Sequence, residues 1–287
     1  MILVTAAGSH FGKSSIDFLL KELPASDIAA MVRDPEKAAD IAAKGVEVRK
    51  GDYFDPESLE KAFAGVDTLL FISSGDIQQR SEQHKNVVDA AVKAGVKHIV
   101  YTSTQRKSES GSPIQAVADS HLDTEKALKA SGIPYTIMRN TLYMDMLPGF
   151  LGQQVLEQGV FLPAGDGQVS FAAREDMAEA AARLVLSAGT ENRDIVIASD
   201  ETRSFADVAR ILSEISGKTV PYHNPDVETY LGTMQAAGVP ALYAGLFASF
   251  AQAAAIGEFA EPSAGLKELL GREPLRLEEY LHTVYTK

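Results

Sequence analysis

Six short β-rich runs alternate with helix-period segments through the first half of the chain, and this alternation constrains the fold more than any single residue. The runs lie at 2–5, 28–32, 46–49, 68–72, 98–102 and 135–138. Between them the periodicity predicts helices over 14–23, 36–44, 56–64, 82–94 and 119–130, with Asp55 as N-cap and Pro56 at the first helical position of the third. Strands of this length joined by helices are βαβ crossovers onto a parallel sheet covered on both faces. The expected class is α/β, doubly wound. Beyond Asn140 the pattern loosens into glycine-rich turns, a helix over 176–187, a strand over 194–198, a helix capped by Ser204, a short strand near Val220 and an amphipathic segment over 266–270. The expected domains are 1–140 and an interleaved, smaller and mostly helical lobe, 141–287. The lobe covers the carboxyl ends of the strands, where open α/β sheets bind ligands.

Charge and composition remove several function classes. Lys and Arg number 27 against 39 Asp and Glu, a formal charge of −12 without any basic run, which opposes binding to nucleic acid or to an anionic membrane. With no Cys, disulfides, thiolate zinc sites and a Cys nucleophile are excluded, and the simplest compartment is the cytosol. The first residues enter an apolar strand without the basic region of a signal peptide. Residues 229–257 carry no charge, but Pro240 interrupts them and Ala dominates, so two helices packed in protein or lining a pocket are expected there, with membrane insertion the minor alternative. The six His are scattered, and Glu82, Gln83 and His84 lack further ligands at sensible spacing, so no metal site is expected.

The chemistry-bearing segment is the turn between the first strand and the first helix, Thr5-Ala6-Ala7-Gly8-Ser9-His10-Phe11-Gly12. Backbone N–H groups at a helix N-terminus receive phosphate, and small residues allow the backbone to approach it. A nucleotide-hydrolase loop would use Gly12-Lys13-Ser14, yet its leading glycine would have to stand at Ala7, and no strand ends in the acid expected for magnesium. A dinucleotide turn fits better. The segment resembles the Thr-Gly-x-x-Gly-x-x-Gly turn of atypical short-chain dehydrogenases, with Ala6 and Ser9 where glycines would stand. Ala6 then strains the tight turn, and Ser9 crowds the phosphate while offering it a hydroxyl. The competing reading is a plain turn without ligand. The second strand ends in Arg33-Asp34, at about the 20-residue distance where an acid reads a ribose 2′-hydroxyl and an Arg a 2′-phosphate. Arg33, with Lys37 one turn beyond, favours NADP(H), while Asp34 argues the other way.

Taken together, segments 32–38, 45–53, 61–73, 94–103, 133–140 and 172–178 resemble the NmrA-like atypical short-chain dehydrogenases of the NADPH-dependent quinone oxidoreductase and triphenylmethane reductase type, over nearly the whole chain. The resemblance implies a Rossmann domain with the pyrophosphate on residues 5–12 and the 2′-phosphate on Arg33. It places the adenine near Asp52 and Tyr53, and makes Phe71, Ile72 and Ser73 line the cofactor. Thr102 and Ser103 would flank the nicotinamide, and Arg139, Asn140 and Tyr143 would border cofactor and substrate. The implied partner is a small quinone or aromatic dye-like acceptor, and a homodimer is compatible with the reading.

None of the nine Tyr has Lys four residues on, so the phenol–ammonium pair that protonates an alkoxide in typical short-chain dehydrogenases is missing. Quinones and cationic dyes need no such acid, because the product is a delocalised anion or a neutral molecule. His121, one turn from Glu125, is the candidate proton source beside Tyr143; capping and surface pairing is the alternative for this His. Two functions follow from the sequence: hydride transfer to a quinone or dye, or NADP(H) sensing without turnover, as in some members of the family.

Overall fold

Parallel strands buried on both faces demand continuous apolar runs, and the inner first-half strands have them, with all five residues of Ile28–Val32 buried, while the edge run Glu47–Lys50 carries charges and is exposed at both ends. In chain order the computed structural model, which describes residues 1–286, contains β1 (Ile2–Val4), α1 (His10–Glu22), β2 (Ile28–Val32), α2 (Ala39–Ala42), β3 (Glu47–Lys50), α3 (Pro56–Ala62), β4 (Thr68–Phe71), α4 (Arg80–Ala94), β5 (His98–Thr104), α5 (Gln115–Ala130) and β6 (Tyr135–Asn140). Then follow α6 (Leu147–Leu151), α7 (Val155–Gln158), β7 (Val160–Phe161), β8 (Gln168–Val169), α8 (Arg174–Leu186), β9 (Arg193–Ile197), β10 (Arg203–Ser204) and α9 (Phe205–Ser216). The chain ends with β11 (Tyr222–His223), α10 (Val227–Ala236), α11 (Ala241–Ala255), α12 (Gly265–Leu270) and α13 (Leu277–Tyr285).

These elements fall into two units. The first comprises Met1–Thr104, Ala116–Asn140 and Glu175–Val196. Its sheet has the order β3-β2-β1-β4-β5-β6-β9, and β1 to β6 pair in parallel, with Leu3 opposite both Ala29 and Leu69. Strand order reverses between β1 and β4, which opens a crevice at their carboxyl ends. One face of the sheet packs Leu3, Leu69, Phe71, Ile99, Tyr101 and Ile137 against Leu59 and Phe63 of the α3 region, Val87 of α4 and Leu128 of α5. The doubly wound α/β class expected from the alternation is the class observed.

The second unit comprises Gln105–Gln115, Thr141–Arg174 and the chain from Ile197 on. Short helices dominate it, with two two-stranded sheets, β10 with β8 and β11 with β7. Ser204 and Asp207 close a reciprocal capping box on α9. The uncharged stretch forms α10 and α11 on either side of Pro240, and no described helix is long and apolar enough to cross a membrane.

Two local expectations change. The helix expected over 36–44 is a 3₁₀ turn, Pro35–Ala38, followed by only four α-helical residues, because Asp34 caps the Glu36 N–H and Pro35 tightens the start. The first helix begins earlier, at His10, because the Ser9 hydroxyl accepts from the Gly12 N–H at 3.1 Å and caps it.

Ala6 is the one non-glycine residue with positive φ, +45°, among those described. Left-handed backbone costs an L-residue about 1–2 kcal/mol, and a glycine there forfeits about 0.4–1 kcal/mol through the freer unfolded chain. Ala6→Gly is therefore expected to leave stability level or raise it by up to about 1 kcal/mol, read from urea unfolding midpoints.

Candidate functional site

The carboxyl ends of β1, β2, β3 and β4 surround a cavity of about 1030 Å³ that lies wholly within the first unit. Four segments build it. Ala6, Gly8 and Ser9 come from the turn after β1, and Val32, Arg33 and Lys37 from the end of β2 and the 3₁₀ turn beyond it. Asp52, Tyr53 and Phe54 follow β3, and the strip from Ile72 to Asp76 follows β4, with Gln83 of α4 behind it.

The turn after β1 runs into the N-terminus of α1. Its bend is fixed by Ala7 N–H to Met31 O at 3.0 Å and by Ser9 N–H to Ala6 O at 2.9 Å. A helix leaves its first-turn N–H groups without intrahelical partners. Ser9 takes that of Gly12, and those of His10 and Phe11 have no hydrogen-bond partner among the described residues. Gly12 is required sterically: a Cβ there would stand 2.7 Å from Ala6 O and 2.8 Å from Ala7 Cα. The nucleotide-hydrolase frame fails on side chains, since Lys13 pairs with Asp40 at 2.7 Å and the Ser14 hydroxyl donates to Glu175 at 2.7 Å.

Arg33 is exposed on the cavity wall and makes no hydrogen bond or ion pair among the described residues. Asp34, the acid that argued for a ribose hydroxyl, is occupied locally, accepting from Glu36 N–H at 3.2 Å and pairing with Lys37 at 3.2 Å. The wall therefore offers a cation without a counter-charge beside an acid already engaged.

Thr5 lies beneath the cavity, not on it. Its Oγ1 accepts from Ile72 N–H at 3.0 Å and meets the Tyr53 hydroxyl at 2.6 Å, and that phenol donates its one proton to Ile72 O at 2.8 Å, which ties β1, the β3 turn and β4 together. Burial raises the Tyr53 hydroxyl pKa, so the phenol stays protonated as this donor. Ala7, Phe11 and Phe71 are likewise buried in the supporting layer.

Arg80 and His84, whose part the sequence reading missed, clamp the strip after β4 from both sides of one residue, Ser74. His84 Nε2 accepts from Ser74 N–H at 2.9 Å, and Arg80 Nε donates to Ser74 O at 2.7 Å. Their i, i+4 spacing was legible, but it is equally the spacing of a solvated helix face. Thr102 completes the support, accepting from Ser73 N–H at 2.9 Å. His84 Nδ1–H faces Thr124 Oγ1 at 2.8 Å, and burial followed by the charge of Arg80 lowers the His84 pKa to about 3.

This depression has a pH consequence. Between a folded pKa of about 3 and the unfolded value of about 6.5, the unfolded chain holds the proton that the folded chain refuses, so stability is complete above the upper value and is lost as pH falls. From pH 6.5 to 4.5 His84 should account for roughly 2–3 kcal/mol of lost stability. His84→Gln should flatten that part of the curve, measured by urea unfolding at several pH values, and an unchanged slope would refute it.

The remaining expected residues sit at the ends of β5 and β6. Ser103 Oγ donates to Glu125 at 2.6 Å, and Arg139 bridges Glu125 at 3.0 Å and Asp194 at 2.9 Å, while Asn140 is buried at the strand end. His121 is 5% exposed, which sets aside the surface-pairing alternative. Its Nδ1 meets the Tyr101 hydroxyl at 2.6 Å and its Nε2 the Arg80 guanidinium at 3.2 Å. Tyr143 belongs to the second unit, where the Arg174 guanidinium lies 5.3 Å from its ring centre. Among the described residues no group of His, Asp and Glu is placed to hold a metal.

Known proteins share this architecture. Quinone oxidoreductase 2 of Escherichia coli K12 is 39% identical over 282 residues, 97% of this chain and 96% of the relative. The crystal structure of the E. coli NADPH-dependent quinone oxidoreductase complexed with NADPH matches with TM-score 0.91 and 37% identity, covering 99% and 100% of the two chains. Triphenylmethane reductase of Citrobacter sp., complexed with NADP(H), matches with TM-score 0.92 and 41% identity, covering 99% of each. The NmrA-like family model spans residues 1–281, and the chain belongs to the NmrA-like family.

Proposed function

We propose that the protein is an NADPH-dependent oxidoreductase that delivers hydride to a quinone or dye-like acceptor. The observation that carries this reading is the cavity itself: Ala6, Gly8 and Ser9, from the close turn that leads into Gly12 and the start of α1, line the same cavity as the unpaired Arg33. Those residues fit a dinucleotide bearing a 2′-phosphate. The relatives complexed with NADPH and NADP(H) support the same assignment. Bound here, NADPH would supply the hydride.

The chain's own part is holding and orienting. His10 and Phe11 N–H groups hold the pyrophosphate, Arg33 the 2′-phosphate, and Asp52 and Tyr53 border the adenine. Ile72 and Ser73, fixed from below by Thr5 and Thr102, form the wall along the cofactor, and Ser103, Arg139 and Asn140, at the ends of β5 and β6 outside the cavity lining, are the residues this reading assigns to the nicotinamide end. His121 and Tyr143 are the proposed proton-donating groups on the acceptor side. A reduced quinone can take its proton from water, so His121→Ala should lower turnover only modestly. In this reading the first unit is the cofactor domain.

The test is NADPH oxidation with one small quinone and one simple ketone in the same preparation. Quinone reduction with little ketone reduction is expected. Efficient ketone reduction would defeat the mechanism, and NADPH binding without reduction of any quinone would favour a sensing role.

A further inference from the structure

α11 inverts the usual distribution of side chains on a surface helix. Its buried residues are all alanines, Ala244, Ala248, Ala251, Ala253 and Ala254, whereas every large apolar side chain it carries keeps some exposure. Leu242 is 75% and Tyr243 54% exposed, and Leu246, Phe247 and Phe250 are partly open. At helical spacing these five share one stripe, with Ala244, Ala248 and Ala251 on the opposite side. A helix that rests on alanine while presenting Leu, Tyr and Phe forgoes much of the burial that holds such a helix to its core. α10, joined to it by residues 237–240 and packed beside it, repeats the pattern: only Tyr230 is buried, and Val227, Leu231 and Met234 are partly open. A broad apolar surface on a soluble chain marks an interaction site.

Charge decides what covers it. The chain carries −12, so two copies repel through most of their surfaces. Residues 229–257 hold no ionisable acid or base, and there a second copy can approach without setting like charges together or burying one unpaired. Asp226 and Glu228 before the stretch, and Glu258 and Glu261 after it, oppose a nucleic acid or an anionic membrane at the same place. Interface cores are depleted of charge and enriched in aromatic residues and Met, as this face is. A two-fold axis sets one patch against itself, which suits a surface of a single chemical kind. Helices of 10 and 15 residues, with the connection between them, are on the scale of the roughly 20–30 residues a side that a stable contact uses.

We propose that this face joins two copies of the chain, α10 and α11 of one copy packing on those of the other as in a four-helix bundle.

The experiment is sedimentation equilibrium of the native protein, of Leu242→Glu and of Val92→Glu, the last a similarly exposed apolar position on α4 in the first unit. The native protein should sediment at twice the chain mass at micromolar concentration. Leu242→Glu should weaken the dimer roughly 100-fold, because like charges set together across an interface are strongly unfavourable, and Val92→Glu should leave it intact. Tyr243→Glu carries the same expectation and stands in if Leu242→Glu does not fold. Added salt should tighten the native dimer, since it screens the repulsion between two acidic copies while no ion pair across the face is lost. A native monomer overturns the proposal, as do a dimer that survives both Glu variants, equal dissociation by Val92→Glu, and a dimer loosened by salt. A monomer that binds phosphatidylcholine vesicles through Leu242, or in which Leu242→Glu raises only the KM for a quinone, would hand the face to a bilayer or to the acceptor.

Discussion

Gly12→Val should reduce NADPH affinity by about one to two powers of ten, with quinone turnover falling in step, since overpacking against fixed neighbours costs about 1–3 kcal/mol. The expectation follows from what surrounds the missing Cβ. Ala6 O and Ala7 Cα are backbone, with no flexible side chain to swing aside, and Ala6 already sits at positive φ. Relief must come from pushing the start of α1 away from β1, which displaces the His10 and Phe11 N–H groups. Gly8→Ala is the stability control, because its Cβ would meet only Val32 Cγ1 at 3.8 Å, and it should unfold like the native protein. Fluorescence titration with NADPH and urea unfolding on both variants decide the matter: native-like affinity in Gly12→Val would place the pyrophosphate elsewhere.

Arg33→Ala should narrow the preference for NADPH over NADH by roughly 10- to 100-fold, the worth of a charge-assisted hydrogen bond at about 1.5–3 kcal/mol. The effect should fall on NADPH and hardly on NADH, because Arg33 has no protein partner whose loss would disturb the wall. Deleting Asp34 should not reverse the preference, since that carboxylate is spent on the Glu36 N–H and on Lys37. Equal affinities for the two cofactors in the native protein would sink this assignment.

The sheet was legible because its inner strands are buried on both faces: an apolar run bounded by turn residues has few other readings. The turn and Arg33 were legible because a fixed distance along the chain separates them. Burial of charge was not. Glu125 reads as a surface residue on an amphipathic helix, yet it is 2% exposed, held by Ser103 and by Arg139 from strands that contribute only after folding. Arg80 and His84 were opaque for a similar reason, since their partner is a backbone peptide, and a peptide has no sequence identity. α13 escaped because only Leu277 and Leu281 of its nine residues are buried, too narrow a stripe to stand out against its charges.

The two-sided grip on Ser74 bears on the thermodynamics of ligand entry. A wall segment pinned at both its N–H and its C=O has surrendered its backbone freedom during folding. A dinucleotide arriving beside it meets a preorganised surface, and little of its interaction free energy is diverted into ordering the loop. Release of that grip, as when His84 is protonated in acid, would return the segment's disorder and weaken the ligand without touching any atom that contacts it.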